Sequence, residues 1–255
     1  MNFERLLIGG GTLVGFLLVW ELCADFGAIN PLFISSPSRI AQAGAALMAD
    51  PDFWNDVRVS AREFILGYVA AIVIGIPFGL FMGTSRRLSY IVAPFVDTLN
   101  AVPRVTLLPL LIIWFGIGIW SKVAVVFLGA LFPLLINTYE GVRNADKLLI
   151  NVVRSFGAGE WDIARLVVVP NSLPFIIVGL RLAIGRAVLG VVVSEFFGSQ
   201  DGLGVVMVRA ASEFKVDVVF AGLIVFAALS LIMTGLVKLI ENRLTRWRPQ
   251  HSNAG

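Results

Sequence analysis

The chain has 255 residues, of which 58% are hydrophobic and only 15% charged, against about 45–50% apolar and about 25% charged in a globular domain. That excludes a soluble fold and points to a polytopic membrane protein. One cysteine, Cys23, and one histidine, His251, exclude a disulfide framework, a zinc site, a histidine-based triad and an HExxH protease within the chain.

Residues 64–85, 105–121, 123–139, 166–180 and 218–237 contain no Asp, Glu, Lys or Arg. Several of these runs approach or reach the ~20 residues that cross a hydrocarbon core. Six spans are predicted, near 6–28, 61–84, 88–115, 120–138, 173–197 and 217–240, in one all-α transmembrane domain over 1–255. The first reads as a retained helix or as a signal peptide. Glu21 and Cys23 offer no small-residue cleavage site and Trp20-Glu21-Leu22-Cys23 is a poor lipoprotein box, so a retained helix is expected. The polar segment 29–60 is broken by Pro31, Pro37, Asp50, Pro51 and Asp52, with a short surface helix expected over Phe53–Arg62. Gly9-Gly10-Gly11 and Gly75-Ile76-Pro77-Phe78-Gly79 read as close helix packing or kinks. Trp114 and Trp120 bracket the short turn 116–119, and Trp247 follows the last span, as interfacial aromatics do.

The connection 139–172 is unlike a passive linker. Two helix-like stretches, Asp146–Phe156 and Glu160–Val169, are joined by Gly157-Ala158-Gly159, and Pro170 and Pro174 bracket the entry to the fifth span. It reads as a docking surface or as an interfacial helix. Gly202-Leu203-Gly204 reads as a flexible turn after that span, or as a plain loop turn.

Basic residues orient the chain. Eleven, from Arg5, Arg86, Arg87, Arg143, Lys147, Arg154 and Arg165 to Lys238, Arg243, Arg246 and Arg248, fall on the side of the termini and the 139–172 loop. Seven (Arg39, Arg58, Arg62, Arg104, Lys122, Arg209 and Lys215) fall on the other. Both termini are expected in the cytoplasm. The net charge of +3 is accounted for by this asymmetry, and no nucleic-acid partner is expected.

Charged groups at membrane depth usually face a cavity or a partner. The candidates for a translocation pathway are Asp97, Asn100, Arg186 and Glu195, with Arg181 and Arg104 beside them. Arg181 and Arg186 are five residues apart, about 140° around a helix, so they do not form one clamp. Either guides an anion, or Arg181 snorkels or pairs structurally. Asp97 and Asn100, one turn apart, share a pathway stripe or a helix–helix hydrogen bond.

The run Asn151-Val-Val-Arg-Ser-Phe-Gly157, followed nine residues later by Val167-Val168-Val169-Pro170, resembles the cytoplasmic signature of ABC-importer permeases. That signature opens on Glu-Ala-Ala, where this chain has Asn151, Val152 and Val153. Leu110–Gly118, Phe132–Arg143, Arg154–Gly157, Leu173–Ala183 and Ser194–Gly204 look like the nitrate/taurine/sulfonate branch. So does the proline-containing segment Pro31–Pro37.

The resemblance implies a type I-like permease fold with a cytoplasmic coupling helix in a bacterial inner membrane. It implies two permease copies, two ATPase subunits below, and a periplasmic or lipid-anchored substrate-binding protein above. ATP and magnesium would be held by the ATPase, because this chain has no G-x-x-x-x-G-K-[ST] loop. The implied docking residues are Arg154, Ser155, Phe156, Gly157, Ala158, Trp161 and Arg165. ATPase closure would switch the spans between inward and outward states. The implied solute is small and anionic (sulfonate, taurine or nitrate-like) or heteroaromatic. No catalytic, cofactor or metal residue is expected. The rival is an ion-coupled secondary transporter or channel without an ATPase, for which inverted repeats would speak. None is visible, and an intramembrane enzyme lacks a catalytic set.

Overall fold

The computed structural model describes residues 3–27, 30, 33–197 and 199–244. Pro31, Arg246, Trp247, Arg248 and His251 lie outside the described residues, as does the side chain of Arg5. All described elements are helical: α1 (Phe3–Asp25), α2 (Pro37–Ala49), α3 (Pro51–Thr84), α4 (Arg86–Ala101), α5 (Leu108–Phe115), α6 (Ile119–Arg143), α7 (Lys147–Ser155), α8 (Glu160–Ile163), α9 (Val169–Phe196), α10 (Leu203–Ser212) and α11 (Val216–Leu244). Five described helical runs are long and apolar enough to cross a membrane, and α4 with α5 makes a sixth candidate bent by 90°.

That bend departs from the single span expected over 88–115. Pro103 has no amide hydrogen and pushes Val102 into an extended conformation (φ −69°, ψ 128°), which ends α4. A 3-10 turn, Arg104–Leu107, then leads into α5. Two further differences arise where short polar segments keep helical geometry. The expected surface helix 53–62 is the first part of α3, which runs unbroken from Pro51. Gly202 (φ 122°) is the N-cap of α10 rather than part of a flexible turn.

The described chain falls into two compact units, with α3 and α11 contributing to both. The first comprises 1–60 and 199–228. Ser36 and Pro37 start α2. The Glu21 carboxylate accepts from the Ser38 amide (2.9 Å) and hydroxyl (2.6 Å), tying α1 to α2. Trp20 donates to the Ser35 carbonyl (2.8 Å) and meets Phe220 edge-on at 5.8 Å. Ile40, Ala43 and Ala221 form the small core beneath. The start of α10 is held to α3, with Gly202 N–H on Asp56 (2.7 Å) and Leu203 N–H on the Ser60 hydroxyl (2.9 Å).

The second unit, 61–198 and 229–255, is built on α6 packed against α9. Small residues set the contact. A Cβ at Gly190 would lie 3.1 Å from the Val126 Cα, and one at Gly141 would lie 2.8 Å from the Phe175 Cβ. The same device seats α3 on α6: a Cβ at Gly79 would lie 2.8 Å from the Leu135 carbonyl oxygen. Lipid gives helices no hydrophobic reason to associate, so close backbone approach supplies the dispersion contact instead. Met82, Val96, Phe132 and Leu135 join α3, α4 and α6. The Tyr68 hydroxyl donates to the Leu180 carbonyl at 2.9 Å, joining α3 to α9.

Candidate functional site

The 139–172 connection folds as two helices around a glycine turn. Asp146 caps α7, its carboxylate accepting from the Leu148 amide at 2.8 Å. Gly157 ends α7 at φ +85°. The Gly157 amide donates to the Arg154 carbonyl (3.0 Å) and the Ala158 amide to the Val153 carbonyl (3.4 Å), the paired closure of a Schellman motif. Asp162 accepts from the Gly159 amide at 3.3 Å, starting α8. The Arg154 guanidinium spans the turn to Glu160 at 2.9 Å. Beneath the turn, Val142, Ala145, Ile163 and Val168 form a core that also takes Ile150, Val153 and Ala158.

The outer face is apolar in a way no interior contact explains. Phe156 is 86% and Trp161 78% exposed. Leu148 and Leu166 are exposed too. A cleft of about 810 Å³ beside the turn is lined by residues that include Leu80, Phe81, Ile150, Arg154 and Trp161. Ser155 turns its hydroxyl onto the Val152 carbonyl (2.7 Å), Ala158 is half-buried, and Arg165 is exposed on a π turn, Ala164–Val168. That turn connects α8 to α9 without a break, so the helix entering the fifth span begins at Glu160 rather than near 173.

A second group lies at the α4–α5 bend. Arg104, the first residue after Pro103, donates through Nη2 to the Asn100 carbonyl at 3.1 Å and also to the Asn100 side-chain oxygen. Its guanidinium lies 5.0 Å from the centre of the Phe132 ring. Two cavities of about 200 and 210 Å³ open here, and both are lined by Arg104 and Arg186. Asn100 and Asn137 line the first; Val105, Val125, Gly129 and Leu189 line the second.

Of the pathway candidates, Asn100 and Arg186 therefore share a cavity. Asp97 is exposed on α4 and Glu195 is 1% exposed, and neither lines these two cavities. Glu195 belongs to a buried cluster with Glu63, which lies 3.2 Å from Lys122 and within hydrogen-bonding reach of Glu195. Arg181 pairs with Glu241 of α11. Sequence reasoning set Arg104 beside the pathway candidates while also counting it as an outer-side cation, and passed over Asn137. The signal for Arg104 was its place four residues after Asn100 and directly after a proline. Asn137 had a weaker one, a side chain one turn after Pro133 whose amide covers the Pro133 carbonyl at 2.8 Å.

Residues 75–246 match the family described as the binding-protein-dependent transport system inner membrane component. The chain is 31% identical to a putative aliphatic sulfonates transport permease protein of Bacillus subtilis, covering 93% of this chain and 88% of that one. It is 33% identical to the taurine transport system permease protein of Escherichia coli, with the same coverage. A formylaminopyrimidine transport permease protein of Halalkalibacterium halodurans is 30% identical over 91% of this chain and 92% of its own. Among solved structures, a chain of an amino acid ABC transporter with histidines superposes with a TM-score of 0.61 at 16% identity, covering 78% of this chain and 97% of that one. That likeness bears on the fold.

Proposed function

Because the chain belongs to the family of binding-protein-dependent transport system inner membrane components, we propose that it forms the solute pathway of an importer driven by a separate ATPase docked around Gly157. Membership makes it a multi-pass inner-membrane permease with no catalysis of its own; ATP and magnesium belong to the ATPase. Both termini lie in the cytoplasm, and a second copy completes the pathway. A substrate-binding protein delivers the solute from the opposite face. The solutes named for the relatives, sulfonates, taurine and a formylaminopyrimidine, bound the range to small anions and heteroaromatics. Asn100 and Arg186 are read as pathway residues. Glu195, with Glu63 and Lys122, is read as holding α3, α6 and α9 together, and Asp97 faces outward from α4.

The observation that carries this reading is the pair Phe156 and Trp161, held almost fully exposed on either side of a turn whose backbone is closed by its own hydrogen bonds. Large aromatic side chains on a pre-formed surface are what a protein partner buries. Co-purification with the ATPase subunit tests it. Phe156→Asp combined with Trp161→Asp should weaken ATPase capture about 30-fold or more, the effect of losing one anchor worth about 2 kcal/mol, while membrane insertion is kept. Undiminished capture by the double variant would overturn the docking assignment.

A further inference from the structure

We propose that Glu63 and Glu195 hold one proton between them, so that the buried Glu63–Lys122–Glu195 cluster is a proton-binding site that keeps α3, α6 and α9 together and loosens them when the proton leaves. The inference rests on the reading of this cluster as a tie between the three helices, and adds the ligand that the tie needs.

Buried charge sets the first condition. Glu63 and Glu195 are each 1% exposed and Lys122 is 7% exposed. Lys122 Nζ lies 3.2 Å from Glu63 Oε1, and one ammonium balances one carboxylate. A second ionised carboxyl in the same space would leave a net negative charge in a low-dielectric interior, which is heavily penalised. Among the described residues, Lys122 and Glu195 are the charged groups that act on Glu63. The cations nearest in sequence, Arg58 and Arg62 of α3 and Arg186 of α9, are exposed. The start of α10 is fastened to α3 at Ser60, and its Arg209 is exposed and donates to the Gln200 carbonyl at 3.0 Å. Asp56 of α3 accepts from the Gly202 amide.

A missing donor sets the second. An ionised carboxylate only accepts hydrogen bonds. Glu63 and Glu195 nevertheless lie within hydrogen-bonding reach of each other, and two acceptors are stable at that distance only with a proton between them. Glu63 Oε2 is buried and receives no hydrogen bond from any described N–H or hydroxyl, a state that calls for an explanation. The serines adjoining Lys122 and Glu195 do not supply one. Ser121 donates to the Gly118 carbonyl and Ser194 to the Val191 carbonyl, each at 3.0 Å. A proton shared by the two carboxyls fills the gap and also brings the three groups to zero net charge.

Placement gives the proton a mechanical effect. Glu63 belongs to α3, Lys122 to α6 and Glu195 to α9. Release of the proton to water leaves two carboxylates in contact inside the bundle, with one ammonium to share. Their repulsion then acts across the seam between α3 and α9. A metal cation is a poor substitute for the proton, because the Lys122 ammonium, 3.2 Å from Glu63, repels a second positive ion.

The test is detergent unfolding of the purified chain between about pH 5 and about pH 8, above the range where ordinary carboxyls titrate; the sequence holds a single histidine. The folded chain keeps a proton that the unfolded chain has given up, so stability should fall as pH rises. The unfolding constant should grow by up to about tenfold per pH unit, the slope for one proton. Glu63→Gln and Glu195→Gln each keep the shape of the protonated carboxyl and leave one carboxylate for Lys122, so each should fold and lose the slope. The double variant strands the Lys122 ammonium and should reverse the slope, stability rising with pH as that proton is shed. The infrared C=O stretch of a neutral carboxyl should be present in wild type near neutral pH and absent from both single variants; if one variant does not fold, the other decides. The proposal is overturned by a flat wild-type profile, by an undiminished slope in a folded single variant, by absence of the neutral-carboxyl band, or by sodium restoring stability at the alkaline end where choline does not. Lys122→Met separates the two readings. If it destabilises while the wild-type profile is flat, the tie stands and the proton falls; if it costs nothing, both fall.

Discussion

Gly157 and Gly159 sit two residues apart in the same turn, yet they should respond oppositely to alanine. Gly157 has φ +85°, and an added Cβ meets nothing within 4 Å. The penalty for Gly157→Ala is therefore conformational: about 1–2 kcal/mol for an L-residue in the left-handed region. That lowers the closed-to-open ratio of the turn by a factor of about 5–30, because Gly157 and Ala158 donate the two hydrogen bonds that end α7. Gly159 has φ −77° and ψ 171°, an ordinary extended conformation, and its Cβ would find only the Asp162 carboxylate, at 3.8 Å. Gly159→Ala should therefore be neutral, or tighten the turn slightly by restricting the unfolded loop. The assay is the affinity of the ATPase subunit for nanodisc-embedded permease. A loss of up to about 5- to 30-fold is expected for Gly157→Ala and none for Gly159→Ala. Equal behaviour of the two variants, or unchanged affinity for Gly157→Ala, would refute the claim that docking needs this backbone shape.

Lys122→Met leaves Glu63 in the bundle without its cation and should cost about 3–5 kcal/mol in a detergent-unfolding titration; adding Glu63→Gln should restore more than half, and no recovery would show that the pair is not the cause. Gly79→Ala drives a Cβ to 2.8 Å from the rigid Leu135 carbonyl and should destabilise by about 1–3 kcal/mol. Gly235→Ala, with open space around it on α11, should be neutral or favourable by up to about 1 kcal/mol, and similar melting shifts for the two would contradict the packing account. In a Cys23→Ser background, a membrane-impermeant maleimide should label Asp50→Cys in intact cells and Asp146→Cys only after permeabilisation. The opposite pattern would invert the orientation.

The 139–172 loop was legible because glycine and proline carry backbone information directly: two glycines after an amphipathic run imply a helix, a turn and a second helix. The α4–α5 bend was less so. Hydropathy averages over 88–115, and Pro94, Pro103 and Pro109 all look alike in sequence, although only Pro103 stands where the chain turns. Lys122 shows the limit of charge counting. It falls between two apolar runs and reads as an outer-loop cation, yet its side chain is buried on α6 against a carboxylate 59 positions earlier. Arg104 likewise faces a cavity. Neither votes on topology, so setting both aside leaves five basic residues on that side against eleven. The Arg104–Arg186 pair was invisible for the same reason: proximity between positions 82 apart is a tertiary fact.

The uninterrupted helix from Glu160 through Phe196 has a mechanical consequence. Its 37 residues span about 55 Å at 1.5 Å per residue, with Trp161 at one end and the Glu63–Lys122–Glu195 cluster at the other. The run is continuous through its π turn and prolines, so each ångström of sideways push at Trp161 would give up to about one degree of tilt. Under the proposed docking, a pull of a few ångströms at the Trp161 end would reorient Arg186 without any signal having to pass from residue to residue.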